Sequence, residues 1–211
     1  DGVDIALTWH PGDINAVRTG SCNSCIQTEY RFTGIASHAA GSPDKGRSAL
    51  DAVELMNIGV QFLREHMPDH DRIHYAITDA GGNSPNVVQP HARVLYMVRS
   101  ELSKNVRKLQ ARVDKIAEAA AMMTETKMEK RFIDGCGNTV PNLVLEKLMY
   151  KNFEEVGVPT YTPEEIAYAQ AIVDGYELPS DGLPGRGDFY EDPESQKYIA
   201  EKSNNGKKPL N

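Results

Sequence analysis

Hydrophobic residues recur along this chain at two spacings, and the spacing changes from segment to segment. Val3, Ile5, Leu7 and Trp9 share one parity with polar or small residues between them, the period of two that a half-buried strand presents. Residues 25–34 (CIQTEYRFTG) alternate in the same way through Ile26, Thr28, Tyr30 and Phe32. Then the period lengthens. Ala49, Ala52, Val53, Met56, Val60 and Leu63 fall at helical spacing behind Ser48, a good N-cap with Asp51 three positions on, and Pro68 closes the run. In residues 72–78 (RIHYAIT), Ile73, Tyr75 and Ile77 return to period two and predict a second strand. Gly81, Gly82 and Pro85 punctuate a loop, and residues 87–99 read as a longer third strand. Leu102, Val106, Leu109, Val113, Ile116 and Ala120 step alternately by four and three residues, the stripe of an amphipathic helix. Residues 126–133 supply a fourth strand.

The predicted order is βαββαβ. It implies an α+β, ferredoxin-like domain over residues 25–134: a four-stranded antiparallel sheet with two helices on one face. Beyond it the pattern predicts a helix over 142–156, ended by Gly157 and Pro159, and another over 163–173 capped by Thr162. Residues 174–192 are rich in Gly, Pro and Asp and read as loop, and the polar tail to 211 as frayed. Neither the opening strand nor the late helices have an evident sheet to join. Residues 1–24 and 135–211 are therefore expected to be pieces of another domain, interrupted by 25–134, in a larger protein.

Composition narrows the class. With 211 residues, 40% of them hydrophobic and 25% charged, the chain reads as globular. Lys+Arg 23 against Asp+Glu 30 leaves a net charge of -7, which disfavours nucleic acid and anionic membrane as partners. A βαββαβ RNA binder would display stacking aromatics among basic residues on its third strand, where 94–100 (VLYMVRS) offers only Tyr96. No apolar run approaches the roughly 20 residues of a membrane span. Three cysteines, an odd number, build no disulfide framework and fit a reducing, cytoplasmic setting.

Candidate chemistry is sparse and specific. His66, His70 and His74 have helical spacing, but Pro68 lies among them, so they read as a helix-to-strand connection. Cys22 and Cys25 form a C-x-x-C without a second pair and read as ordinary cysteines. His10 closes an apolar alternation just before Pro11-Gly12, at the kind of strand end where α/β folds gather ligands. By spacing it remains a lone histidine. His38 is the one large polar side chain in a run of small residues, 33–43 (TGIASHAAGSP), which lets a substrate or backbone come close. Asn86 and Arg99 could hold a carboxylate between an amide and a guanidinium; by spacing alone, turn chemistry and a surface charge explain them as well.

Two runs go further: 34–56 (GIASHAAGSPDKGRSALDAVELM) and 81–99 (GGNSPNVVQPHARVLYMVR). Together they resemble the dinuclear-metal peptidases and amidohydrolases that include aminoacylases, hippurate hydrolase and glutamate carboxypeptidase. Residues 7–13 (LTWHPGD) and 138–165 extend the likeness toward a branch acting on p-aminobenzoyl-glutamate. The resemblance implies a catalytic α/β domain with two divalent ions, zinc or manganese, interrupted by a lid or dimerisation domain. It implies hydrolysis of an amide bond in an N-acyl amino acid by a homodimer. It makes His10 a metal ligand, His38 the lid histidine that steadies the oxyanion in a neighbouring subunit's site, and Asn86 with Arg99 the carboxylate-binding pair. The family's upstream metal motif, general-base Glu and final metal histidine have no counterpart here. The chain alone is therefore expected to be inactive and to hold no metal stably. A rival reading makes it an association module, pairing through the Leu102–Ala120 stripe and an edge strand.

Overall fold

A computed structural model describes residues 2–4, 7, 9, 10, 16, 17 and 21–176. The chain divides into two units, one spanning Ser21–Thr139 and the other made of the segments on either side of it.

In the first unit the order is β1 (Ser24–Thr33), α1 (Ala49–Arg64), β2 (Arg72–Asp79), β3 (His91–Ser100), α2 (Ser103–Thr124) and β4 (Lys127–Cys136). The strands form one antiparallel sheet in the order β2-β3-β1-β4, the ferredoxin-like arrangement that the periodicity predicts. Alternation decides which side is covered. Tyr30 and Phe32 of β1, Ile73 of β2 and Ala92, Val94, Tyr96 and Val98 of β3 are buried against α1 and α2. Tyr30 and Tyr96 meet edge to face at 5.8 Å, a favourable aromatic geometry. The odd-numbered residues of β1 and β3, including Arg31, Arg93 and Arg99, share the opposite face.

Each helix supplies one apolar stripe. Ser48 caps α1, its hydroxyl accepting from the Asp51 amide, and Ala52, Val53, Met56 and Val60 are fully buried. On α2 the stripe Val106, Leu109, Val113, Ala117 and Ala120 lies inside the chain's own core. That corrects the surface named in the association reading, not association itself: these residues already cover the sheet, at about 1.5–3 kcal/mol for each large side chain, and are not available to a partner.

Two strand boundaries depart from the pattern. β3 starts at His91 rather than at residue 87, because the chain before it is drawn elsewhere. Val88 donates to Ser37, while the carbonyls of Gln89 and Pro90 accept from Ala49 and Gly34. β4 runs on to Cys136 through a bulge, its register on β1 shifting between Gln27 and Thr28.

In the second unit, α3 (Leu143–Val156) is capped by Asn142, and α4 (Pro163–Gly175) opens on a full capping box between Thr162 and Glu165. Neither helix has a buried residue. Leu145, Leu148, Met149 and Phe153 line an apolar hollow of about 390 Å³ together with Leu7 and Trp9. The strand expected over residues 3–9 is not seen: among the described residues 2–4, 7, 9 and 10, none is in a strand. A strand needs a hydrogen-bonding neighbour, and the described part of this unit contains no strand to pair with. The loop expected at 174–192 begins two residues later than Asp174, at the end of α4, and its portion from 177 lies outside the described residues.

Candidate functional site

The loop after β1 and the loop before β3 are zipped together beyond the end of the sheet. Gly34 donates to Pro90, Val88 to Ser37 and Ala39 to Asn86, all at 2.8–3.0 Å, and His38 pairs with Val87 as an antiparallel bridge. Glycine permits this closeness: a Cβ on Gly34 would sit 1.9 Å from the Arg47 carbonyl oxygen. A short 3₁₀ turn, Pro43–Lys45, then returns the chain to pair Ile35 with Arg47 and enter α1.

The small residues after His38 do more than leave room. They fold back so that the amides of Ala40 and Gly41 both donate to His38 Nδ1, at 3.2 and 2.9 Å. A nitrogen accepting two N–H groups carries no proton of its own, so the neutral ring bears its hydrogen on Nε2. His38 is exposed. This is a hydrogen-bond donor held by backbone.

Asn86 lies beside it on the facing loop, also exposed. Its loop is fixed by residues that spacing does not single out. Asp79 at the end of β2 accepts from the Gly81 amide at 2.9 Å and bonds His91 Nδ1 at 2.8 Å, with Arg93 nearby. These donors hold the Asp79 carboxyl below the usual carboxylate range, the Gly81 amide first and His91 next. Gly81 has φ +84 and packs against the His91 carbonyl oxygen, where a Cβ would come within 2.4 Å. The D-A-G at 79–81 is the signal that could have found this clamp.

Arg99 is elsewhere. It stands near the far end of β3, opposite Cys25 on β1 and Arg72 on β2, with its guanidinium on the Met97 sulfur at 3.2 and 3.3 Å. From His91 to Arg99 the strand runs about 26 Å at roughly 3.3 Å per residue, and Asn86 lies beyond that. One chain therefore brings His38 and Asn86 together and keeps Arg99 apart. His10, in the other unit, is exposed and lies outside regular structure. Among the described residues no group of three or more His, Cys, Asp or Glu could hold a metal ion, so those residues by themselves do not fit a dinuclear centre.

Residues 24–124 match the family described as the peptidase dimerisation domain, from the first residue of β1 to the last of α2. The βαββαβ unit is a peptidase dimerisation domain. Among curated proteins the chain is 49% identical over 172 residues to one of the subunits of the p-aminobenzoyl-glutamate hydrolase of Escherichia coli (strain K12), covering 82% of this chain and 36% of that one. It is 29% identical over 147 residues to indole-3-acetyl-aspartic acid hydrolase of Enterobacter agglomerans, covering 67% of this chain and 34% of that one. The fold is similar to the crystal structure of an aminobenzoyl-glutamate utilization protein from Klebsiella pneumoniae, with a TM-score of 0.53 and 23% identity over 65% of this chain and 34% of that one. The chain thus spans about a third of the length of the curated relatives it matches. On this dimerisation domain, Ile58 and Phe62 of α1 and Tyr75 and Ile77 of the edge strand β2 remain exposed. No helix among the described residues is long and apolar enough to cross a membrane.

Proposed function

We propose that this chain is the lid and adjoining segments of a metal-dependent amidohydrolase that cleaves the amide bond of an N-acyl amino acid such as p-aminobenzoyl-glutamate. The family, the 49% identity to a p-aminobenzoyl-glutamate hydrolase and the short span of that relative support this reading. Two divalent ions, zinc or manganese, belong to the whole enzyme, with His10 offered as one ligand.

The observation that carries the proposal is the state of His38. Two amides on Nδ1 leave Nε2–H as a fixed donor, which an amide-cleaving site needs where negative charge builds on the carbonyl oxygen. Asn86, whose backbone carbonyl accepts from Ala39, stands on the facing loop with a carboxamide to offer the same substrate. Arg99 supplies the charge that would hold the free carboxylate. Because Arg99 is more than a strand's length away in the same chain, one substrate can meet all three only if they come from two copies. We infer a homodimer in which His38 and Asn86 of one protomer complete a site carrying its partner's Arg99. Its contact surface is the exposed edge of β2 with Tyr75 and Ile77, flanked by Ile58 and Phe62. Three free cysteines agree with a cytoplasmic setting.

The test is hydrolysis of p-aminobenzoyl-glutamate by the whole enzyme with His38→Ala. A loss of kcat on the order of 10²–10³ is expected for removal of an oxyanion donor. Activity within a few-fold of the parent would remove His38 from the chemistry.

A further inference from the structure

Residues 22, 25 and 136 are all the cysteines of the chain, and they gather at the end of the sheet remote from His38. Cys25 sits near the start of β1 and Cys136 closes β4. They are directly opposed Cα partners in the antiparallel ladder, with their sulfurs 3.2 Å apart. Directly opposed residues of such a ladder have Cβ atoms about 4.5–5.5 Å apart, within a small adjustment of the 3.5–4.5 Å of a disulfide.

The bulge in β4 produces this meeting. Phe132 pairs with Thr28, whose side chain is buried on the helix-covered side. Continued alternation would give residue 136 the same side as residue 132. The register shift leaves Ile133 as the extra residue, so that Asp134 pairs with Gln27 and Cys136 with Cys25 on the open face. Neither thiol is shut away: Cys136 is exposed and Cys25 half-buried. The hydrogen bond with the Cys25 sulfur, more than desolvation, raises the Cys136 thiol above its ordinary value. Cys22 is differently engaged, its sulfur 2.7 Å from Thr139 Oγ1.

We propose that Cys25 and Cys136 form a reversible cross-strand disulfide, closed by exchange with a low-molecular-weight disulfide such as glutathione disulfide. One thiolate of the pair attacks a sulfur of the reagent, whose S–S bond breaks and releases one thiol. The second thiolate attacks the resulting mixed disulfide at the protein sulfur and releases the other thiol. Two protein thiols and one small disulfide thus become one protein disulfide and two small thiols, with electrons and protons balanced. The bridge would fasten the strand by which the chain enters the unit to the strand by which it leaves, next to the unit's limits at Ser21 and Thr139.

The test equilibrates the reduced 211-residue chain with increasing ratios of oxidised to reduced glutathione, then alkylates it and maps its peptides. The expected product has one free thiol, a mass lower by about 2 Da, a single cross-linked peptide joining Cys25 to Cys136, and a melting temperature higher by several degrees. Cys22→Ser should form the same bridge, and Cys136→Ser should form no Cys25 bridge and show no rise in melting temperature. A bridge from Cys22 to Cys25, a mixed disulfide on Cys22 alone, or three thiols still free at the most oxidising ratio would each overturn the proposal.

Discussion

At the scale of single residues, the polar groups inside the dimerisation domain differ in how well they are answered. Tyr30 donates to Asp114 Oδ1 at 2.6 Å and accepts from Gln110, while Lys130 closes on the other Asp114 oxygen at 2.6 Å. Burial, reinforced by the bond to Asp114, pushes the Tyr30 phenol far above the usual tyrosine range. Thr28 is equally buried, yet its hydroxyl has no protein partner. Replacing it with the isosteric valine removes a desolvated oxygen and leaves the packing, so Thr28→Val is expected to stabilise the domain by about 1 kcal/mol in denaturant titration. A loss of the same size would show that the hydroxyl is satisfied. Asp79 gives a pH signature. Its carboxyl is held below its ordinary value in the folded chain, so its contribution is complete above the unfolded carboxylate value of about 3.9 and is lost as pH falls through the folded one. Asp79→Asn should flatten the acid side of the stability–pH curve; a curve that keeps the parent's slope would contradict the clamp.

At the scale of elements, strands and helices are legible in the sequence wherever one face is buried by this chain itself. The α1 and α2 stripes and the alternation of β1 and β3 follow directly from such burial. Legibility ends where non-local pairing decides. Residues 87–90 have strand composition, but their hydrogen bonds go to Gly34, Ser37 and Ala49 instead of continuing the sheet. The bulge in β4 leaves no local mark, and neither does the meeting of Cys25 with Cys136. His38 is legible as a lone polar group among small residues. The fixing of its tautomer is not, because two backbone amides do it. The α2 stripe shows the reverse error, an apolar face that reads as a contact surface although the sheet beneath claims it. Exposed apolar residues lie on α1 and β2, and also at Met122 and Met123 at the end of α2 and at Phe132 and Ile133 of β4; the α1 and β2 group is the one proposed as the contact. Phe62→Glu combined with Tyr75→Lys should therefore shift the chain toward monomer in light scattering, while the far-UV spectrum stays unchanged. A dimer that persists with the parent's dissociation constant would move the interface elsewhere.

At the scale of the whole molecule, the decisive feature is a separation. His38 and Asn86 crown one end of the dimerisation domain and Arg99 sits near the other, so on the roles proposed above no single copy brings the three to one substrate. Exposed apolar side chains on an edge strand and its neighbouring helix supply a surface on which a second copy would correct this. The flanking helices α3 and α4 have no buried residue, and the chain spans only about a third of the relatives' length. The most direct measurement mixes two individually inactive whole-enzyme variants, His38→Ala and Arg99→Ala, and allows their subunits to exchange. Half of the dimers are then mixed, and each mixed dimer has one site with both residues intact. Recovery of about a quarter of the parent's p-aminobenzoyl-glutamate hydrolysis is expected. No recovery, after exchange has been demonstrated, would mean that His38 and Arg99 serve the same protomer's site, and would contradict the shared site.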